Sequence, residues 1–190
     1  MLEDLILANR TYRRFYQDVR IPMDTLKEMI NLARLASSGG NLQSLRYVLV
    51  NQEDKNELIF KTLKWAGYLS DWNGPGEGEK PSAYIVMLHD QRINKSYLWD
   101  HGLAAQNILL GLTEKGLGAC QFHSINRVEL ASKLNLPAYY EIVMVIAAGK
   151  PKEIVVLEEV DASGNIRYWR DQEGTHHVPK RKPDDLILEI

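Results

Sequence analysis

The sequence is poor in cysteine. Cys120 is the only one among 190 residues, so no intramolecular disulfide can form and a reducing compartment is expected. An excess of one charge sign is missing too. Lys and Arg number 23 against 25 Asp and Glu, and a net charge of −2 gives a nucleic-acid partner no electrostatic support from the chain as a whole. No apolar run approaches the roughly 18–20 residues that cross a bilayer, and the opening MLEDLILANRTYRRF carries acidic residues where a secretory signal needs positive charge. A soluble, cytoplasmic protein without a membrane partner is expected. No G-x-G-x-x-G follows any strand-like run, so a nicotinamide would be a passing substrate rather than one held by that motif. No catalytic triad and no zinc-spaced Cys/His set is visible. The remaining composition, 45% hydrophobic and 25% charged, fits one globular domain over 1–190 with a sizeable core.

Apolar periodicity predicts a short helix over 2–8 and a second after Ile21-Pro22, with Thr25 and Glu28 placed for a capping box and a stripe of Leu26, Met29, Ile30, Ala33 and Ala36. RYVLV at 46–50 reads as a strand, 54–69 as a helix, and 84–88 as a buried strand. The segment 100–115 is apolar nearly all round and predicts a central helix. A strand over 119–122, a short helix capped by Asn126 and a core strand over 142–148 follow. Beyond Gly149-Lys150-Pro151 the pattern loses regularity. DWNGPGEGEKP at 71–81 predicts a flexible loop, a lid or an insertion, and 183–190 a C-terminal arm. Helices alternating with short apolar strands indicate an α+β or α/β domain.

Two segments carry candidate chemistry. Basic residues cluster at both ends, as Arg10, Arg13 and Arg14 and as Lys180, Arg181 and Lys182. On a nearly neutral chain this pattern suggests a local anion site. In Asn9-Arg10-Thr11-Tyr12-Arg13-Arg14-Phe15, guanidinium groups and a hydroxyl could grip a phosphate, or the segment is a solvated basic turn ending a helix. Ser37-Ser38-Gly39-Gly40-Asn41-Leu42-Gln43 lets a planar ligand approach the backbone and offers donors and acceptors, or it is a plain helix stop.

The first segment resembles the R-R-S-x-R-x-F signature of the nitroreductase family. The second resembles that family's P-S-S-x-N-x-Q-P-W motif, at the family's separation of about 25 residues. Gly116-Leu117-Gly118-Ala119-Cys120, Gly149-Lys150-Pro151 and Arg181-Lys182-Pro183 then fall in the family's order. The resemblance implies an α+β fold, a three-layer α-β-α sandwich with a mostly antiparallel central sheet in an intertwined homodimer, with FMN at the interface. It implies that Arg10, Thr11 and Arg13 bind the flavin phosphate and ribityl chain, Arg13 also lying near the N1/O2 edge, and that Arg181 completes the phosphate clamp. Ser37, Ser38 and Asn41 would come from the partner protomer. Gln43 matches by motif, Gly149 by its turn, and Gln121, His123 and Ser124 would pass the flavin largely through their backbone. The implied activity is ping-pong transfer of electron pairs from NADH or NADPH to a small organic acceptor such as a nitroaromatic or quinone. A flavin-binding sensor or carrier without turnover, and an interaction protein that has lost the flavin, stand as alternatives.

The sequence departs from the pattern at Asn9, where an arginine is usual, leaving one cation fewer. Ser37 replaces the loop proline and Ser44-Leu45 replace Pro-Trp, which implies a less rigid loop. His123 stands where a small residue or glutamate is usual; it could donate a proton near N5 or simply pack. Cys120 reads as a buried structural thiol, and His176-His177 as loop residues without a metal. Trp65, Tyr68 and Trp72 either line an acceptor pocket or anchor the Gly-rich loop.

Overall fold

The computed structural model describes residues 1–189. Helix α1 spans Leu2–Ala8, strand β1 Phe15–Tyr16 and helix α2 Met23–Ala33. Strand β2 (Leu45–Val50) and helix α3 (Glu53–Phe60) come next, followed by strand β3 (Ala83–Asp90) and helix α4 (Asp100–Glu114). Strand β4 (Gly118–Phe122), helix α5 (Arg127–Lys133) and the long strand β5 (Tyr140–Pro151) complete the central body. Three more strands lie beyond it: β6 (Val155–Glu159), β7 (Trp169–Arg170) and β8 (His176–Lys180).

The central sheet runs β2-β3-β5-β4, antiparallel throughout, with β1 paired to the end of β5 through Phe15–Pro151 and Tyr16–Lys150. Every residue of β3 is buried, so the period-two alternation of side chains divides two cores rather than a core from water. Ala83, Ile85 and Met87 join Leu26 and Met29 of α2 and Ala104, Ile108 and Leu112 of α4. Tyr84, Val86 and Leu88 join Ile59 of α3 and Leu130 of α5 on the opposite face. The result is an α+β fold in three layers, α-β-α. Burying each Ile or Leu contributes about 1.5–3 kcal/mol, so β3 and its two helical covers supply much of the stabilisation. Close packing of α2 on α4 needs Gly111, because a Cβ there would come within 2.9 Å of the Met29 sulfur.

The structure corrects three local readings. The capping box on α2 does not form: the helix begins at Met23 behind Pro22, with no side-chain cap. The helix read over 54–69 stops at Phe60. The Thr62 hydroxyl donates to the Ile59 carbonyl at 2.7 Å, Asn126 N donates to the Thr62 carbonyl at 2.8 Å, and Leu63 pairs with Ile125, so tertiary bonds take over from the helix. The irregular C-terminal stretch forms a second sheet, β6-β8-β7, with β6 and β8 parallel. Its strands are too short and too polar to show a period. Among the described residues no helix is long and apolar enough to cross a membrane.

Candidate functional site

The signature segment 9–15 lies across the start of β4 and the end of β5. Thr11 bridges Ala119, Tyr12 N donates to the Ala119 carbonyl at 3.0 Å, and Phe15 is fully buried. Two glycines make room for it. A Cβ on Gly149 would lie 2.8 Å from the Phe15 ring, and one on Gly118 would meet the Tyr12 ring. Gly149, expected at the cofactor, therefore has a packing reason in the fold.

The three arginines of this segment have different partners. Arg14 donates Nε to Glu79 Oε2 at 2.7 Å and Nη2 to Oε1 at 2.6 Å, and with Lys152 it holds the Glu79 carboxyl down at about 2. Arg10 donates to the Ile6 carbonyl at 2.5 Å, while its Nε is buried without a partner. Burial lowers the Arg10 guanidinium from its ordinary value. Arg13 sets Nη1 3.1 Å from His176 Nε2 and lies over the Tyr168 ring at 4.6 Å. Among the described residues neither the Arg10 nor the Arg13 guanidinium has a carboxylate partner. Arg10 and Arg13 are thus the two cations of the segment fitted to hold an anion.

The loop 37–43 is tied to the first turn of α4. Ser38 Oγ donates to Asp100 Oδ2 at 2.6 Å, Gly39 N donates to Oδ1 at 3.0 Å, and Gln43 N donates to Ser38 Oγ at 3.0 Å. Gly40, Asn41 and Gln43 take φ of 56°, 54° and 51°, so three left-handed residues turn the chain within four positions. Ser37, Ser38, Gln43, Tyr47 and Asp100 line a cavity of about 170 Å³ beside α2 and α4. No hydrogen bond joins this loop to the signature segment among the described residues.

At the end of β4, Gln121, His123 and Ser124 are exposed around the buried Phe122. The His123 carbonyl accepts from Arg127 at 3.1 Å and the Ser124 carbonyl from Lys64 N at 3.0 Å. The His123 ring lies 6.0 Å from that of His101, and partial desolvation, with His101 and Arg127, lowers its pKa. Arg181 is exposed beyond the end of β8. Five extended residues from His176 carry it about 16 Å along the strand. The C-terminal stretch meets the signature segment through Glu153, Tyr168 and His176.

Residues 76–80 of the Gly-rich stretch are pinned to the signature segment. The Gln17 side chain accepts from Gly78 N at 2.9 Å and Lys80 N at 3.1 Å, and Phe15 N donates to the Glu79 carbonyl at 3.0 Å. Trp65 packs edge-on against Phe122 at 4.6 Å and Trp72 at 6.2 Å, so these rings anchor the loop. His176 and His177 belong to β8 rather than a loop, with His177 between Glu158 at 2.5 Å and Asp171 at 3.2 Å. Cys120 is buried, and desolvation pushes its thiol up to about 12. Asp100, Glu153, Tyr168 and His176 are the site residues that sequence reasoning missed. Asp100 had a faint signal, a lone carboxylate opening an otherwise apolar helix. The others are placed by long-range pairing alone.

The sequence matches the model of the Nitroreductase family over residues 6–73 and 78–150. An iodotyrosine deiodinase of Thermotoga neapolitana is 25% identical over 173 residues, covering 80% of this chain and 90% of that protein. A protein of Archaeoglobus fulgidus, provisionally named an NADH dehydrogenase/NAD(P)H nitroreductase, is 24% identical, with 82% and 89% covered. A solved structure from Exiguobacterium sibiricum, in complex with FMN, superposes with a TM-score of 0.68 at 16% identity, covering 80% of this chain and 89% of that one.

Proposed function

This chain belongs to the nitroreductase family, and on that premise we propose that it is an FMN-dependent oxidoreductase, working as a homodimer, that moves electron pairs from NADH or NADPH to a small organic acceptor such as a nitroaromatic or quinone. The observation that carries the reading is the pair of guanidinium groups, Arg10 and Arg13, left without carboxylates while the adjacent Arg14 is neutralised by Glu79. An orphaned buried Nε on Arg10 fits a bound phosphate, and Thr11 adds a hydroxyl beside it. The FMN complex of the Exiguobacterium sibiricum structure and the name of the Archaeoglobus fulgidus relative support the cofactor and the donor.

Bound FMN would supply two-electron chemistry at its ring. Arg10, Thr11 and Arg13 would hold its phosphate and ribityl chain. A fixed cation at the N1/O2 edge favours negative charge there. Ser37, Ser38, Asn41 and Gln43, on a loop braced by Asp100, are the groups a partner protomer would present. The backbone of Gln121, His123 and Ser124, with Gly149 at the far end of the β4–β5 pairing, would border the ring. Leu2, Ile6 and Leu7 of α1 and Leu103 of α4 are exposed apolar side chains, and they support burial of the helices in a dimer.

Anaerobic addition of NADH or NADPH to purified, flavin-loaded protein tests the reading. The visible flavin absorbance is expected to bleach with at least one donor and to return on adding a quinone. A band that persists with both donors would leave the chain a flavin carrier.

A further inference from the structure

We propose that the C-terminal sheet is the positioning device for Arg13, with His176 and Tyr168 holding the guanidinium that the flavin reading assigns to the cofactor. The inference rests on that reading. The sheet lies beyond residues 6–73 and 78–150, the stretches matched by the family model.

The backbone is fixed first. Glu153 has a fully buried side chain and accepts from Arg13 N, from Arg14 N at 3.2 Å and from Arg170 Nη2 at 2.9 Å. One carboxylate thus locks two residues of the signature segment to β7. The side chain is fixed next. A guanidinium keeps its protons, so Arg13 Nη1 is the donor at 3.1 Å and His176 Nε2 is the lone-pair nitrogen. The imidazole proton then sits on Nδ1, which is buried without a partner. Below the guanidinium, the Tyr168 ring gives a cation–π contact at 4.6 Å, and the Tyr168 hydroxyl accepts from Tyr68 N at 3.3 Å. Arg170 covers Trp72 at 4.8 Å, which ties the same sheet to the aromatic loop.

The choice of partners carries the functional point. A carboxylate at position 176 would neutralise Arg13, as Glu79 neutralises Arg14. A neutral imidazole and an aromatic face hold the guanidinium in place and leave its positive charge uncompensated, which is what an anionic ligand requires. Burial, with Arg13 and Arg170 adjacent, keeps His176 uncharged at neutral pH.

The test compares H176L, which removes the acceptor, with H176Q, which returns an oxygen acceptor, using FMN titration of apoprotein and the midpoint potential of the loaded protein. H176L is expected to bind FMN about tenfold more weakly, the loss of one hydrogen bond to a charged group, and to show a lower potential. H176Q should return both quantities toward wild type. Should H176L fail to fold, Y168L against Y168F reads the same contact. Equal affinity and potential in H176L, H176Q and wild type, or tighter FMN binding by H176L, would overturn the inference. Histidine 15N spectra of the flavin-free protein read the contact alone: a protonated Nε2 on His176 overturns it. An unprotonated Nε2 in a wild-type protein that takes up no FMN leaves the contact standing and overturns the flavin reading and the positioning role built on it.

Discussion

Ser38 Oγ donates to Oδ2 of Asp100 across 2.6 Å, and the same carboxylate accepts Gly39 N, so one buried side chain at the start of α4 holds a loop 62 positions earlier. Without it, two donors and a run of left-handed residues would lose their brace. D100A is expected to cost about 2–4 kcal/mol, the range for removing one member of a buried charged hydrogen-bond set. Urea unfolding measures it, and faster hydrogen exchange at Gly39 and Gln43 than at β3 locates it. Unchanged exchange at those amides would contradict the brace.

A second expectation separates the arginines. R10A should release FMN on dialysis with little loss of fold stability. R14A should keep FMN and lose stability, because it strands Glu79 without its fork of donors. Flavin retention and thermal midpoints of the two variants check the split. Flavin loss from R14A alone would reverse the assignment.

Glu79 supplies a pH dependence. Its folded pKa, about 2, lies below the ordinary 4.5, so the ion pair with Arg14 stabilises fully above about 4.5 and is lost as pH falls toward 2. E79Q is expected to lower stability by about 1 kcal/mol at pH 7, since water screens part of the pair. The gap from wild type should close between pH 4.5 and 2, measured by urea unfolding at each pH.

His176 acts with the same sign in a higher pH window. Its folded pKa is pushed down to about 4 from 6.5, chiefly by burial and also by Arg13 and Arg170. Below 6.5 the unfolded chain takes up the proton that the fold refuses, so stability should fall as pH drops from 6.5 to 4. H176Q should flatten that window. An equal slope in wild type and H176Q would place the titration elsewhere.

Much of the fold was legible because its strands and helices carry their own period. YIVML at 84–88 and IVMVIAA at 142–148 are continuous apolar runs, and α4 is apolar on most of its surface, so a buried strand pair under a central helix follows from pattern alone. The candidate site was legible where family motifs fall on adjacent residues, as in Arg10-Thr11 and Ser38–Gln43. Asp100 and Ser38 meet across 62 positions and Arg13 and His176 across 163, and no local spacing encodes either pair. The C-terminal sheet was missed for the same reason. Glu153, Tyr168 and His176 look like surface residues until the fold brings them against Arg13. The helix over 54–69 was overread because Leu63 and Ala66 continue the stripe that tertiary bonds at Thr62 interrupt.

Flavin retained after exhaustive dialysis, quantified by fluorescence of FMN released on denaturation, is the measurement to make first. Wild-type protein is expected to keep stoichiometric FMN and R10A to lose it. A colourless wild type, or an R10A variant with full flavin, would contradict the phosphate site on which the rest is built.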